Sequence, residues 1–448
     1  LESLQEKGLL RMTTEELPLI ETITPADQAA VAEAVRNAGE KGLAVYPVGG
    51  GTMIEGGINP KQPGIALSLA NLNRTIDYPA ADMTITVEAG MTIAELNRQL
   101  AANHQRLPID VAQPDRATVG GAVAVNTSGP RRYAYGSMRD YVLGLTAVDG
   151  QGTLFNAGGR VVKNAAGYNV CRLMTGSFGS LGVITQVTLM VRPQCEASVF
   201  LVCEVPDFKI AEKLLADLVS LPIQPVAVDF VAGRQQENDL DLGPMLIGSV
   251  GRFYVGFEGT TIDVDWMVEQ LRHNWIAAGA TEPILIPTSR AESLWNWLTE
   301  FPADVQIKVL PSAVIETIAK TLEIDPNCAI RAHAGDGVIR VKVAEGRGER
   351  GEEREEGRGL GTSVPSALPT KSQNPKIPKS QTFSPTSILE RLRELTTAMG
   401  GKMIVQKPAD GMTPGDIWGP PGPEFHILQA LKERFDPKNI LNPGRFVF

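Results

Sequence analysis

The stretch that most limits what this chain can fold into is Ala44–Thr52, AVYPVGGGT, a short apolar run ending in three consecutive glycines. Gly49, Gly50 and Gly51 carry no Cβ, so the backbone there can take φ > 0 and lie directly against another group. Successive N–H groups in such a turn can converge on one concavity and bind an anion without a charged side chain. A plain tight turn between two strands is the competing reading of the same residues. Position 54 is Ile, so GxGxxG fails, and no GxxxxGK[ST] occurs. A ligand role for the turn therefore needs support from the rest of the chain.

The flanking pattern is α/β. Thr24-Pro25-Ala26-Asp27 reads as a capping box with Pro at the first helical position, opening a helix with Val31, Ala34, Val35 and Ala38 on its apolar face. Strands are predicted at Leu43–Tyr46, Ile65–Leu69 and Thr84–Glu88, and Thr92–Glu95 caps a second helix. Gln113–Gly129 is a small-residue segment between Pro114 and Pro130, and a long loop of that kind inside a domain usually carries function. Asp149-Gly150 predicts a hairpin between Gly144–Val148 and Gly152–Asn156. Lys163–Thr185 reads as a glycine-punctuated helix, a turn and a strand.

After Pro193 strands and helices alternate as in an α+β domain of ferredoxin-like type. Glu345–Ser384 is Gly/Glu/Arg-rich, then Ser/Pro/Lys-rich, and is expected to be a disordered insertion. Beyond it come a helix at Ser387–Met399, the strand Lys402–Gln406 and a last helix with Phe425, Leu428, Leu431 and Phe435 on one stripe. The expected organisation is a lead-in (1–20), a first domain (21–194), a cap (195–344), the insertion (345–384), the end of the cap (385–407) and a C-terminal segment (408–448).

The 448 residues carry a formal charge of −9, and with no basic stripe this excludes a nucleic-acid partner. No apolar run reaches the ~18 residues of a membrane span. The four cysteines are scattered without a CxxC, as in a cytoplasmic protein, and four histidines leave little room for a metal cage.

In this order, YPVGGGT (46–52), PDRATVGGAVAVNTSG (114–129), YGSMRDYVLGL (135–145), KNAAGYNVCRL (163–173), GSLGVIT (179–185) and FDPKNILNPGRF (435–446) resemble the PCMH-type, vanillyl-alcohol-oxidase-like FAD proteins. More narrowly the chain is similar to the FAD-binding E subunits of glycolate oxidase. The resemblance implies an α+β protein: a two-lobed FAD-binding domain, a ferredoxin-like cap, and a C-terminal segment returning to the flavin side. Pro47, Val48, Gly49, Gly50, Gly51 and Thr52, with Gly120 and Gly121, would cradle the pyrophosphate through backbone N–H groups. Pro114, Asp115, Thr118, Ala124 and Asn126 would line the rest of the dinucleotide, Gly182, Val183 and Ile184 its adenosine end, and Asn442 and Arg445 would bring the tail back. Many relatives tie the flavin to a His directly after the glycine run. Here that position is Thr52 and no His lies between Leu1 and Asn103, so the FAD is expected to be non-covalent.

Oxidation of a 2-hydroxy acid needs a base, a cation for the carboxylate and a flavin to take the hydride. The catalytic relatives use an HxGDGNxH element, which here reads HAGDGVIR (333–340), without its Asn and second His. His333 is better read as part of a hairpin turn, and no metal is expected. The weak catalytic candidates are His333, Arg340, Lys163 and Tyr168, with Arg172 a further group that could face the flavin. Arg131 and Arg132 read either as pyrophosphate counter-charges or as a subunit contact. The resemblance implies the FAD subunit of a glycolate (2-hydroxy-acid) oxidoreductase, partnered by a homologous D-type flavoprotein and an iron–sulfur subunit. Any contact with the inner face of the membrane would be made through those partners. A self-sufficient dehydrogenase and a non-enzymatic scaffold are the alternatives.

Overall fold

The computed structural model describes residues 17–58, 60–159, 168–234, 242, 245–246, 248–344, 385–409 and 411–446. Lys163 and the 345–384 segment lie outside the described residues.

β1 (Leu19–Ile23), α1 (Gln28–Lys41), β2 (Ala44–Val48) and β3 (Gly64–Ser68) form the first lobe, a parallel sheet in the order β1-β3-β2. This sheet begins inside the stretch read as a lead-in, because Leu17 is buried against Ala44 and Tyr46. Asp27, not Thr24, caps α1. Its carboxylate accepts the Ala30 N–H at 2.8 Å, so the helix starts after the predicted box rather than within it.

The second lobe is an antiparallel sheet of β4 (Thr75–Asp77), β5 (Thr84–Glu88), β7 (Val142–Val148), β8 (Leu154–Gly158) and β9 (Val183–Met190), in the order β4-β5-β9-β7-β8. Between β5 and β7 come α2 (Ile93–Ala101), β6 (Gln105–Arg106), α3 (Val119–Val125), α4 (Arg132–Tyr135) and α5 (Met138–Tyr141), and α6 (Val170–Met174) precedes β9. Thr92 caps α2 through the Glu95 N–H at 3.2 Å. The hairpin at Asp149 is closed by its own carboxylate, which accepts from Gln151 and Thr153 N–H. One core runs under both lobes, from Val31 and Val35 on α1 through Val87 and Val187 to Ile440 and Leu441 near the C-terminus.

β10 (Arg192–Pro193) pairs with β6 and leads into the cap. The cap contains β11 (Ala197–Val205), α7 (Phe208–Ser220), β12 (Ala227–Gly233), β13 (Gly251–Gly259), α8 (Thr261–Ala277), β14 (Ile284–Ile286), α9 (Thr288–Thr299), β15 (Val305–Lys308), α10 (Val314–Ile324), β16 (Ala329–His333), β17 (Val338–Lys342), α11 (Pro385–Ala398) and β18 (Lys402–Val405). Its eight strands make one sheet in the order β14-β11-β13-β12-β16-β17-β15-β18. Read in halves, this is two βαββαβ units, each with its fourth strand beside its first, joined edge to edge through β12 and β16. The cap is thus ferredoxin-like twice over. The 345–384 segment enters between the third strand and second helix of the second unit.

Strand alternation gives the sheet two unlike faces. Val228, Phe230, Ile307, Ile330, Ala332, Ile339 and Val341 face α7, α8, α10 and α11 in one apolar core. Asp229, Arg331, His333 and Arg340 fall on the opposite face. There α9 covers the first unit through Leu294 and Trp295, and α4 of the first domain packs onto β12.

The chain ends with α12 (Pro414–Trp418), which packs on β18, and α13 (Phe425–Phe435). The tail then lies beside β2. Val45 N–H donates to Ile440 O at 2.7 Å, and Asn442 N–H to Val45 O at 2.9 Å.

Candidate active site

The glycine turn packs backbone against backbone on residues 116–118. A Cβ on Gly49 would run into Thr118 Oγ1, and one on Gly50 into the Arg116 carbonyl. Gly51 sits at φ 69°, where a side chain is strained. The N–H groups of Gly49, Gly50, Gly51 and Thr52 meet no acceptor among the described residues. Gly50 O is held by the Arg116 guanidinium at 3.2 Å.

Gly120 and Gly121 sit beside this turn with their N–H groups engaged. Gly120 donates to Ala89 O at 2.8 Å and Gly121 to Thr118 Oγ1 at 3.2 Å. In this conformation the open donors lie in the 49–52 turn. Pro114 is half-buried, Asp115 exposed and Thr118 buried as the cap of α3. Ala124 O accepts the Phe178 N–H at 2.8 Å, and Asn126, at φ 53°, closes α3 and accepts the Arg139 N–H at 3.0 Å.

Residues 176–179 thus rest on the C-terminal end of α3, and the Ser177 hydroxyl is buried there with no partner among the described residues. Gly182 packs on Met174 and leads into β9. Val183 and Ile184 have their side chains in the core, 0 % and 4 % exposed, at the start of the central strand β9, so only their backbone could face a ligand. Asn442 donates to Phe178 O at 2.6 Å, and Arg445 is tied to Ile54 O and to Gly56 O, the latter at 2.6 Å. Pro47 lies by Gly179. The turn, the 113–129 segment, residues 176–182 and the tail therefore converge on one notch between the lobes.

The second part of the site is the polar cap face. His333 Nδ1 and Asp229 Oδ1 are 2.5 Å apart, and both side chains are buried. Nδ1 is the ring nitrogen held against the carboxylate, so in the tautomer that donates from Nδ1 the Nε2 lone pair is left available. Residues 334–337 do form the predicted turn between β16 and β17, but the His at its start is also hydrogen-bonded to Asp229. Asp336, in the same turn, is 4.0 Å from Arg132. Burial pushes the Asp336 carboxyl up, as does Asp229, against the pull of Arg132 and His333.

Arg340 points elsewhere. Its guanidinium donates to Leu298 O at 2.6 Å and Thr299 O at 3.1 Å. Arg331, opposite it in register, reaches Trp297 O and Glu300 O and lies 3.7 Å over the Trp297 ring. Two arginines thus cap the C-terminal end of α9, where free carbonyls attract cations. Tyr168 is fully exposed, at 100 %, and Arg172 is exposed too.

Arg131 is neither a pyrophosphate counter-charge nor a surface contact. It binds Asp110 at 2.5 Å and Glu258 of the cap at 2.8 Å, and stacks 3.8 Å over Trp295. Arg106 closes the cluster on Glu258 at 2.6 Å. These two arginines hold Glu258 below the usual carboxylate range although burial opposes it. The spacing of Arg131 from Glu258 in sequence gave no signal for this interdomain clamp.

Residues 21–173 match the FAD binding domain family, and residues 421–446 match the C-terminal domain of FAD linked oxidases. These matches mark the chain as an FAD-dependent oxidoreductase. Across 95 % of its length this oxidoreductase is 27 % identical to the D-lactate dehydrogenase of Archaeoglobus fulgidus, covering 90 % of that protein. It is 26 % identical to the D-2-hydroxyglutarate dehydrogenase of Xanthomonas citri pv. viticola, covering 94 % of the chain and 88 % of the relative. The glycolate oxidase subunit GlcD of Bacillus subtilis is 28 % identical over 47 % of the chain and 44 % of that subunit. In fold it is similar to an alkyldihydroxyacetonephosphate synthase, with a TM-score of 0.63 at 16 % identity over 94 % of this chain and 76 % of that one.

The notch fits FAD. A diphosphate needs several donors pointed at one place, and the 49–52 turn offers unengaged N–H groups on a backbone bare of Cβ atoms. Bound there, FAD would supply the two-electron acceptor that no amino-acid side chain provides. The protein would supply the backbone donors that grip its diphosphate. None of the described helices is long and apolar enough to cross a membrane.

Proposed function

We propose that this oxidoreductase passes electrons from a small 2-hydroxy acid through non-covalent FAD, as the FAD-binding subunit of a glycolate-type complex. Its partners would be a homologous D-type flavoprotein subunit, which carries most of the substrate chemistry, and an iron–sulfur subunit that receives the electrons. The observation that favours this reading is the commitment of the cap-face arginines. Arg331 and Arg340 are spent on the carbonyls of α9, and Arg106 and Arg131 on Glu258 and Asp110. A substrate carboxylate on this face would have to compete with those bonds.

A second reading, a self-sufficient 2-hydroxy-acid dehydrogenase, is favoured by the His333–Asp229 pair. Asp229 fixes the ring so that Nε2 can accept a hydroxyl proton, with Arg132 the nearby cation. The relatives similar over nearly the whole chain are named as D-lactate and D-2-hydroxyglutarate dehydrogenases, which supports the substrate class under both readings. Anaerobic stopped-flow reduction of the FAD-loaded chain with glycolate and with D-lactate tests them. Slow bleaching alone and fast bleaching with the D-type subunit is the expected result. Fast bleaching by the isolated chain would overturn the subunit reading and leave the second.

A further inference from the structure

Resting on the assignment of the 49–52 turn to the FAD diphosphate, we propose that Arg116 is the charged member of that site. It would both latch the turn and attract the dianion. Arg116 Nη2 donates to Gly50 O at 3.2 Å and Nη1 to Gln113 Oε1 at 2.9 Å. The latch turns the Gly50 carbonyl toward the 113–118 segment and leaves the N–H groups of residues 49–52 without protein acceptors among the described residues.

The guanidinium lies alongside Gly51, with Nη2 3.8 Å from where its Cβ would be. It has no carboxylate partner among the described residues, and its Nε–H is buried without an acceptor. Other arginines with buried donors here are bound to an acid, as Arg131 and Arg106 are, or to the carbonyls of a helix C-terminus, as Arg331 and Arg340 are. Arg116 is instead bound to two neutral oxygens beside a turn of open amides. A diphosphate is the ligand class that matches both features, because guanidinium pairs strongly with phosphate oxygens and amides complete the shell.

The test is flavin-fluorescence titration of the FAD-stripped full chain with FAD and, separately, with riboflavin, at low and high salt. Arg116→Gln, Arg116→Lys and a control at the exposed Arg98, Arg98→Gln, are compared with the parent. Losing a charge-assisted contact should weaken FAD binding about 10- to 100-fold. The salt dependence should flatten while riboflavin, which has no phosphate, binds as before. Lys should recover part of the loss, since it restores charge but not the two-point latch, and Arg98→Gln should change nothing. Unchanged FAD affinity in Arg116→Gln overturns the proposal. So does an equal loss for FAD and riboflavin, which would mark a role confined to the turn's shape. If the parent binds no FAD, the assignment of the turn fails as well.

Discussion

Lys432 is the sharpest test of how the C-terminal segment is held. It sits on α13 with its side chain 8 % exposed, and its ammonium makes three bonds: to Ser180 O at 2.8 Å, Asp436 Oδ2 at 2.6 Å and Leu441 O at 3.0 Å. Asp436 in turn accepts the N–H groups of Ile440 at 3.0 Å and Leu441 at 2.7 Å. One buried charge pair thus ties the last helix, the tail and the residues leading into β9. Burial depresses the Lys432 pKa, against the pull of Asp436. All three ammonium donors have acceptors.

Lys432→Met keeps most of the volume and removes the charge. It strands a buried carboxylate and orphans the Ser180 and Leu441 carbonyls. Removing one partner of a buried pair costs about 3–5 kcal/mol, a fifth or more of the roughly 5–15 kcal/mol that holds an ordinary domain together. The lesion lies in the FAD lobe, so urea unfolding should lose its early, flavin-releasing phase first. Cap unfolding, followed through the buried Trp275, should keep its midpoint. A FAD-lobe transition within about 1 kcal/mol of the parent would refute the reasoning, because it would mean the pair adds no more than a surface bridge.

Gly50→Ala places a Cβ inside the Arg116 carbonyl, so the turn or the 113–118 segment must move. The purified variant should lose most of its visible flavin absorbance. Glu258→Gln leaves Arg106 and Arg131 buried without their shared acid and should cost about 3–5 kcal/mol in urea melts at neutral pH. Because the folded Glu258 titrates below its usual 4.5, its contribution is present above that value and lost as pH falls through the depressed one. The parent should therefore weaken in acid more steeply than the variant. His333→Gln should slow substrate reduction of the isolated chain about 10²- to 10⁴-fold if His333 is the base, and leave the complex's rate within a few-fold if it is not. Acid precipitation of the holoprotein should leave the flavin in the supernatant, since Thr52 offers no imidazole for a covalent link.

What could be read from the sequence was local. The glycine turn, the Thr92 cap, the Asp149 hairpin and the apolar stripe of α13 each declare themselves within a few residues. The family motifs added the notch that joins them. What could not be read were the polar pairs closed by the fold: His333 with Asp229 is 104 residues apart, Arg131 with Glu258 127, and Lys432 with Ser180 252. A charged residue in such a pair looks like surface in one dimension. Lys432 shares a helix with the predicted stripe of Phe425, Leu428, Leu431 and Phe435, yet it is more deeply buried than any of them. Asp436 on the next turn and the approach of the Ser180 and Leu441 carbonyls make that possible.

The same point bears on the division of labour proposed for this oxidoreductase. HAGDGVIR differs from the catalytic pattern at two positions, and sequence alone treats those differences as losses. In the fold one of them has acquired a different task. Arg340 stands beside Arg331 across β16 and β17, and together they neutralise the carbonyl end of α9, the helix that covers this cap face. Restoring a His at 340 would therefore not simply rebuild a catalytic site. It would uncap α9 and leave the Leu298 and Thr299 carbonyls without their donor, at about 1–3 kcal/mol for each buried group left unpaired. A chain adapted in this way is committed to its structural role, which is the physical reason for expecting the substrate chemistry to reside mainly in a partner.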